Sequence, residues 1–160
     1  MCGTFGFELD VRTLSQDEIA LFRTQVQLFK AFSQIIHFGE LYRLWDPFVV
    51  PLCSWMFVTA DRTEAVVFAF SVNSDHWSNL VPPLKLQGLS PDGIYSVVEP
   101  LPNNVCQSQS NLRILEMPTP LYQLGHPTVY LTGEILMQAG LPIKFYTLDD
   151  SLFFHLQLVS

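Results

Sequence analysis

Positive charge is what this 160-residue chain has least of: Lys and Arg number 8 against 15 Asp and Glu, for a net charge of −7. No cluster of basic residues occurs. That excludes a nucleic-acid partner, because gripping a phosphate backbone takes several cations on one face. An anionic membrane surface is excluded for the same reason. Cysteine is also scarce. Cys2, Cys53 and Cys106 are widely spaced and odd in number. With no CxxC pair, neither a zinc site nor a redox motif is signalled, and the three read as reduced thiols. No apolar run approaches the roughly 20 residues of a membrane-spanning helix. The opening residues lack the basic and apolar regions of a secretion signal, and no Asn-x-Ser/Thr acceptor is present. His37, His76, His126 and His155 fall at no metal-ligand spacing. There is no GxSxG elbow and no phosphate-cradling glycine loop. The residues therefore call for no metal and no cofactor. Charged residues of both signs make up only 14% of the chain, against 49% apolar, where a soluble domain carries about a quarter charged. A chain this apolar is expected to bury part of its surface against something outside itself, and a homo-oligomer is one way to do so.

The pattern changes near Arg43. Before it lies one long helical segment. Ser15 and Glu18 have the spacing of a capping box, and Asp17 adds negative charge at the positive end of the helix dipole. Phe22, Val26, Phe29, Phe32 and Ile36 then recur at helical spacing, with Leu21, Leu28 and Ile35 widening the apolar face. Gly39 fits the stop. This predicts a helix over 15–38 with both flanks covered. Upstream, Gly3 to Leu9 is extended in character, and a strand end followed by a long amphipathic helix is one βα unit.

After Arg43 the period becomes two. Residues 54–59 and 65–72 flank a polar turn at 60–63 and read as a hairpin. Val66, Phe68, Phe70 and Val72 point one way, and Ala65, Val67 and Ala69 the other. A strand apolar on both faces suits a sheet covered on each side. Leu84 to Gln87 alternates and reads as half exposed. Ser90-Pro91-Asp92-Gly93 is a tight turn. Further strands are expected at 94–98, 112–115, 128–132, 133–137, 143–145 and 152–159, with an irregular polar stretch from Glu99 to Asn111. Thr132 to Leu141 on its own reads as strand, turn, strand. Many short strands at regular spacing predict an antiparallel sandwich.

Few residues offer chemistry. Asp149 and Asp150 are an adjacent carboxylate pair, but acid–base work needs two carboxylates facing each other across a substrate. Neighbours in a strand point to opposite faces, so Asp149-Asp150-Ser151 reads as a turn. Trp45, Trp55 and Trp77 could form a sugar-stacking platform, as in a non-catalytic carbohydrate-binding module, or could serve as core or interface aromatics.

The order of MCGTFGFELD, a helix, FGELYRLWDPF, WMFVTADRTEAVVFAF, LKLQGLSPDGIY and LTGEILMQAGL resembles the end of the family 36 glycoside hydrolases, the α-galactosidases or melibiases. In that family a TIM (β/α)8 barrel is followed by a C-terminal antiparallel β-sandwich. The last barrel strand carries a motif like MxGxFGYELD, with Phe7 here where Tyr is common. A stretch like FGDFYRL follows the last barrel helix, and the tail has one like GDELMNAGL, which Gly133 to Leu141 match. The stretch from about Glu99 to Tyr130 departs from the family in being longer and richer in proline. The resemblance implies that residues 1–40 are a remnant of the barrel, its last strand and helix, and that residues 41–160 form the sandwich. It implies an enzyme that hydrolyses terminal α-galactosyl units of oligosaccharides with retention and without a cofactor. The nucleophile motif, like KWDxN, and the second catalytic Asp are not found, so no catalytic residue carries over, and the expected partner is the rest of the barrel. Barrel active sites lie at the C-terminal ends of the strands, which places Gly3, Phe5 and Gly6 at the substrate rim.

Overall fold

The computed structural model of the chain describes residues 6–8, 10–72, 81–98, 128–143, 145 and 151–160. The expected strand at 112–115, the irregular stretch from Glu99 to Asn111 and the Asp149-Asp150 turn lie outside those residues, as do Trp77, His76 and His126.

A 3-10 turn at Val11–Thr13 leads into helix α1, Gln16–Phe38. The capping box forms as its residue spacing requires. Ser15 Oγ accepts from the Glu18 amide at 3.3 Å, and Glu18 Oε2 accepts from the Ser15 amide at 2.8 Å. Two of the helix's orphan donors are thereby satisfied. Gly39 ends the helix at φ −73°, so a left-handed backbone is not what the position requires. A Cβ there would sit 2.4 Å from the Ile35 carbonyl oxygen and 3.0 Å from that of Val58. The close turn from helix into strand leaves no room for a side chain.

The strands are β1 (Glu40–Trp45), β2 (Leu52–Val58), β3 (Glu64–Ser71), β4 (Ile94–Val98), β5 (Val129–Thr132) and β6 (Ser151–Leu158). They form one six-stranded sheet in the order β1-β2-β3-β6-β4-β5, antiparallel at every pairing. The chain is thus mainly β with an antiparallel sheet, as the period-two pattern predicts. In β3, Val66 and Phe68 face one side and Ala65, Val67 and Ala69 the other, and each set joins a separate apolar cluster.

On the first side lies α1. Its Leu28, Phe32, Ile35 and Ile36 pack on Phe57, Val66, Phe68 and Phe153. Burying an aliphatic or phenyl side chain of this kind contributes about 1.5–3 kcal/mol, so the helix is held chiefly by this stripe. On the second side Met56, Val67, Tyr95, Phe154 and Leu156 meet Leu84, Leu86, Leu89, Leu136 and Leu141.

That second layer corrects two strand expectations. Gly133 to Met137 is not a strand but the start of helix α2, Gly133–Gln138. Thr132 Oγ1 accepts from the Ile135 amide at 3.3 Å, and Leu, Met and Gln are strong helix formers. A short apolar run does not distinguish strand from helix by period. Gly140 then takes φ +86° with the Leu84 backbone packed against it, which turns the chain back to a single bridge, Leu84↔Leu141. Leu84 to Gln87 alternates in burial as expected, yet it makes that bridge and no ladder. Ile143 is buried in the same layer without belonging to a strand.

The hairpin turn between β2 and β3 is fastened by Asp61. Its Oδ1 accepts from the Thr63 amide at 3.1 Å and from the Thr63 hydroxyl at 2.7 Å, and Arg62 beside it is left-handed at φ 59°. Hydrogen bonds from Thr59 and Thr63 hold the Asp61 carboxyl down to about 2. A folded value below the unfolded one means the turn's support is complete above about pH 4 and is lost as pH falls through about 2. An NMR titration of the Thr63 amide is therefore expected to show a midpoint near 2. A midpoint at the ordinary carboxylate value would show that the bonds do not persist in solution.

Candidate functional site

Of the expected rim residues, Gly3 and Phe5 lie outside the described residues. Gly6 is exposed, and a Cβ built on it would meet nothing within 4 Å. Beside it the Phe7 ring packs on Phe22 of α1, centroids 4.4 Å apart. The opening segment therefore returns to the side of α1 that faces away from the sheet.

A groove runs along that side. Phe7, Leu14, Ile19, Phe22 and Val26 line it, with Arg23 and Lys30, and its volume is about 490 Å³. The helix is consequently apolar on two sides, as the width of its apolar pattern predicts, and only one of them meets the sheet.

A second groove of about 650 Å³ opens beside β1 and β2. Register places Leu41 opposite Phe57 and Arg43 opposite Trp55, so these four share the α1 side of the sheet. The register shift between Arg43 and Trp45 turns the strand end into the Asp46–Val49 turn. There Asp46 Oδ1 accepts from the Phe48 amide at 2.9 Å, and Phe48 is left 98% exposed. Leu41 and Cys53 also line this groove. Burial pushes the Cys53 thiol up, and the Asp46 carboxylate adds to that, so it is no activated nucleophile.

Of the tryptophans, Trp45 and Trp55 are among the described residues, and both line this second groove from opposite sides of the sheet edge. Trp55 lies on the α1 side, stacked on Phe70 at 4.9 Å, whereas Trp45 packs with the opposite cluster. Trp55 continues a run of rings through Phe68, Phe153, Phe32 and His155. His155 Nε2 stands 3.4 Å from Glu64 Oε2, bridging β6 and β3. Among the described residues no three His, Cys, Asp or Glu side chains gather as a metal site. None of the described helices is long and apolar enough to cross a membrane. What the described surface offers is two apolar grooves rather than a constellation of reacting groups. The second of them was missed in the sequence. The signal for it was Phe48 and Val49 in an Asp-Pro turn, where polar residues are usual.

A family model described as the glycosyl hydrolase family 36 C-terminal domain matches residues 52–156. The chain belongs to glycosyl hydrolase family 36. Among curated family 36 relatives, alpha-galactosidase AgaA of Geobacillus stearothermophilus is 38% identical over 97 residues, 61% of this chain and 13% of that one. The bifunctional alpha-galactosidase/sucrose kinase AgaSK of Mediterraneibacter gnavus is 34% identical over 95 residues, 59% of this chain and 10% of its own. The crystal structure of the GH36 alpha-galactosidase AgaB from G. stearothermophilus superposes with a TM-score of 0.73 at 30% identity, over 99% of this chain and 18% of that one. The matched stretches thus span only 13% and 10% of these two relatives' length, and nearly the whole chain spans 18% of the AgaB chain.

Proposed function

We infer that the chain is the C-terminal region of a family 36 α-galactosidase, structural by itself and part of a working enzyme only with the rest of the catalytic barrel. In this reading residues 1–40 supply the last barrel strand and helix, and residues 41–160 form the C-terminal β-sandwich, of which the six-stranded sheet is the described part. The observation that carries it is the likeness to AgaB, which extends over 99% of this chain. The N-terminal helix is therefore included, well beyond the stretch the family model matches.

The whole enzyme would hydrolyse terminal α-galactosyl units of oligosaccharides such as melibiose and raffinose. One carboxylate would attack the sugar to form a covalent intermediate and a second would act as acid and then base, the pair about 5–5.5 Å apart. Both would come from earlier barrel strands. In the same reading Gly3, Phe5 and Gly6 border the sugar pocket.

The purified chain is expected to give no turnover of p-nitrophenyl α-galactoside or raffinose, and the uninterrupted parent polypeptide is expected to hydrolyse both. Turnover by the isolated chain, inhibited by 1-deoxygalactonojirimycin, would overturn the reading.

A further inference from the structure

Helix α1 makes two contacts, at different heights and on different sides. The residues that join the sheet's apolar cluster, Leu28, Phe32, Ile35 and Ile36, all fall in its second half. Its first half carries Phe22, on which the Phe7 ring packs at 4.4 Å. Phe22 and Phe32 are about 15 Å apart along a helix axis. No Gly or Pro interrupts Gln16–Phe38, the residues at which sharp helix kinks mostly arise. The capping box fastens the start of the helix, and the Gly39 amide fastens its end by donating to the Ile35 carbonyl at 2.8 Å. The helix is therefore a rod held towards one end by the sheet. At that end the Phe32 ring meets two side chains of β6. Phe153 lies edge-on to it at 5.2 Å and is itself stacked on Phe68 at 4.8 Å. The His155 ring lies 4.8 Å from it, with Nε2 3.4 Å from Glu64 Oε2 of β3.

We propose that Phe153 and His155 are positioning residues for the sugar pocket of the parent enzyme. They clamp the second half of α1, and the unbroken helix passes that placement through Phe22 and Phe7 to the opening segment. The proposal rests on the reading of the chain as the end of an α-galactosidase, in which Gly6, next to Phe7, borders the pocket. A tilt at Phe32 is magnified along the rod before it reaches Phe22. Misplacing a binding group by about 1 Å can cost about a hundredfold, even when the change lies far from the chemistry. In the same reading both reacting carboxylates sit on earlier barrel strands, so the clamp does not hold them. Its loss therefore falls on substrate binding, which raises KM and spares kcat.

The uninterrupted parent polypeptide would be assayed with raffinose, well below its unfolding temperature. For Phe153→Ala and His155→Ala, KM is expected to rise about tenfold with kcat little changed. Inhibition by 1-deoxygalactonojirimycin should weaken by the same factor. Phe153→Leu, which keeps an apolar side chain against Phe32, should recover most of the loss. Leu156→Ala is the control, since Leu156 lies on the same strand but is fully buried in the opposite cluster. A role in folding alone would lower the amount of active enzyme, and with it the apparent kcat, and leave KM where it was. Should Phe153→Ala not fold, His155→Ala, at a half-buried side chain, decides alone. An unchanged KM in the folded variants, or an equal rise in Leu156→Ala, overturns the proposal and leaves the galactosidase reading standing. Inactivity of the unsubstituted parent overturns the reading, and the proposal with it.

Discussion

Replacing Phe32 by Ala is expected to release helix α1 from the sheet. Phe32 is 8% exposed and sits at the centre of the smaller apolar cluster. Its ring lies edge-on to Phe153 at 5.2 Å and 4.8 Å from the His155 ring. Removing a buried phenyl costs about 3–5 kcal/mol, the lost transfer energy adding to that of the cavity. A domain holds only about 5–15 kcal/mol in all. Few residues attach α1, so the loss falls on one contact stripe. Urea unfolding followed by far-ultraviolet dichroism should show a large fall in midpoint, with helical signal leaving before strand signal. Phe22→Ala is the control. Phe22 faces the open groove, so in the isolated chain it should move the midpoint little. Equal effects of the two would mean that the helix does not select one side as described. A change below about 1 kcal/mol for Phe32→Ala would mean that the ring is not buried in solution.

The contrast between these two phenylalanines shows how far the sequence could be read. The positions of α1 and its cap were legible, because a capping box and a 3.6-residue period depend on neighbours a few residues away. The β2–β3 hairpin was legible for the same reason. Which apolar side of α1 meets the sheet was not, since both sides carry phenylalanines and the choice depends on partners such as Phe153, far along the chain. Residues 133–138 were misread because a short apolar run fits two periods, and the packing of Leu136 beneath the sheet decides between them. The grooves were least legible. Arg23 and Lys30 are seven residues apart and share a side of α1 by the helical period, whereas Arg43 and Asp46 meet Cys53 and Trp55 only through the pairing of β1 with β2. The family resemblance came from ordered motifs, and it carried information that no local pattern holds.

Tyr95 joins three separate segments, and its loss is expected to be the second large effect. It is fully buried in β4. Its hydroxyl donates to the Arg62 carbonyl at 2.6 Å and accepts from the Ser90 amide at 2.9 Å. Arg62 is the left-handed residue of the β2–β3 turn, and Ser90 opens the turn before β4. One phenol thus ties two turns that are distant in sequence to the same point under the sheet. Tyr95→Phe keeps the ring and strands a donor and an acceptor, at a cost of about 1–3 kcal/mol. Tyr95→Ala adds the ring cavity, and large aromatic truncations cost about 3–5 kcal/mol. The two variants separate these contributions by urea unfolding. Amide exchange should locate the first, with faster exchange at Ser90 and in the 59–64 turn of Tyr95→Phe while β6 keeps its protection. Unchanged exchange at Ser90 would mean that water replaces the hydroxyl there and that the phenol serves only to fill space.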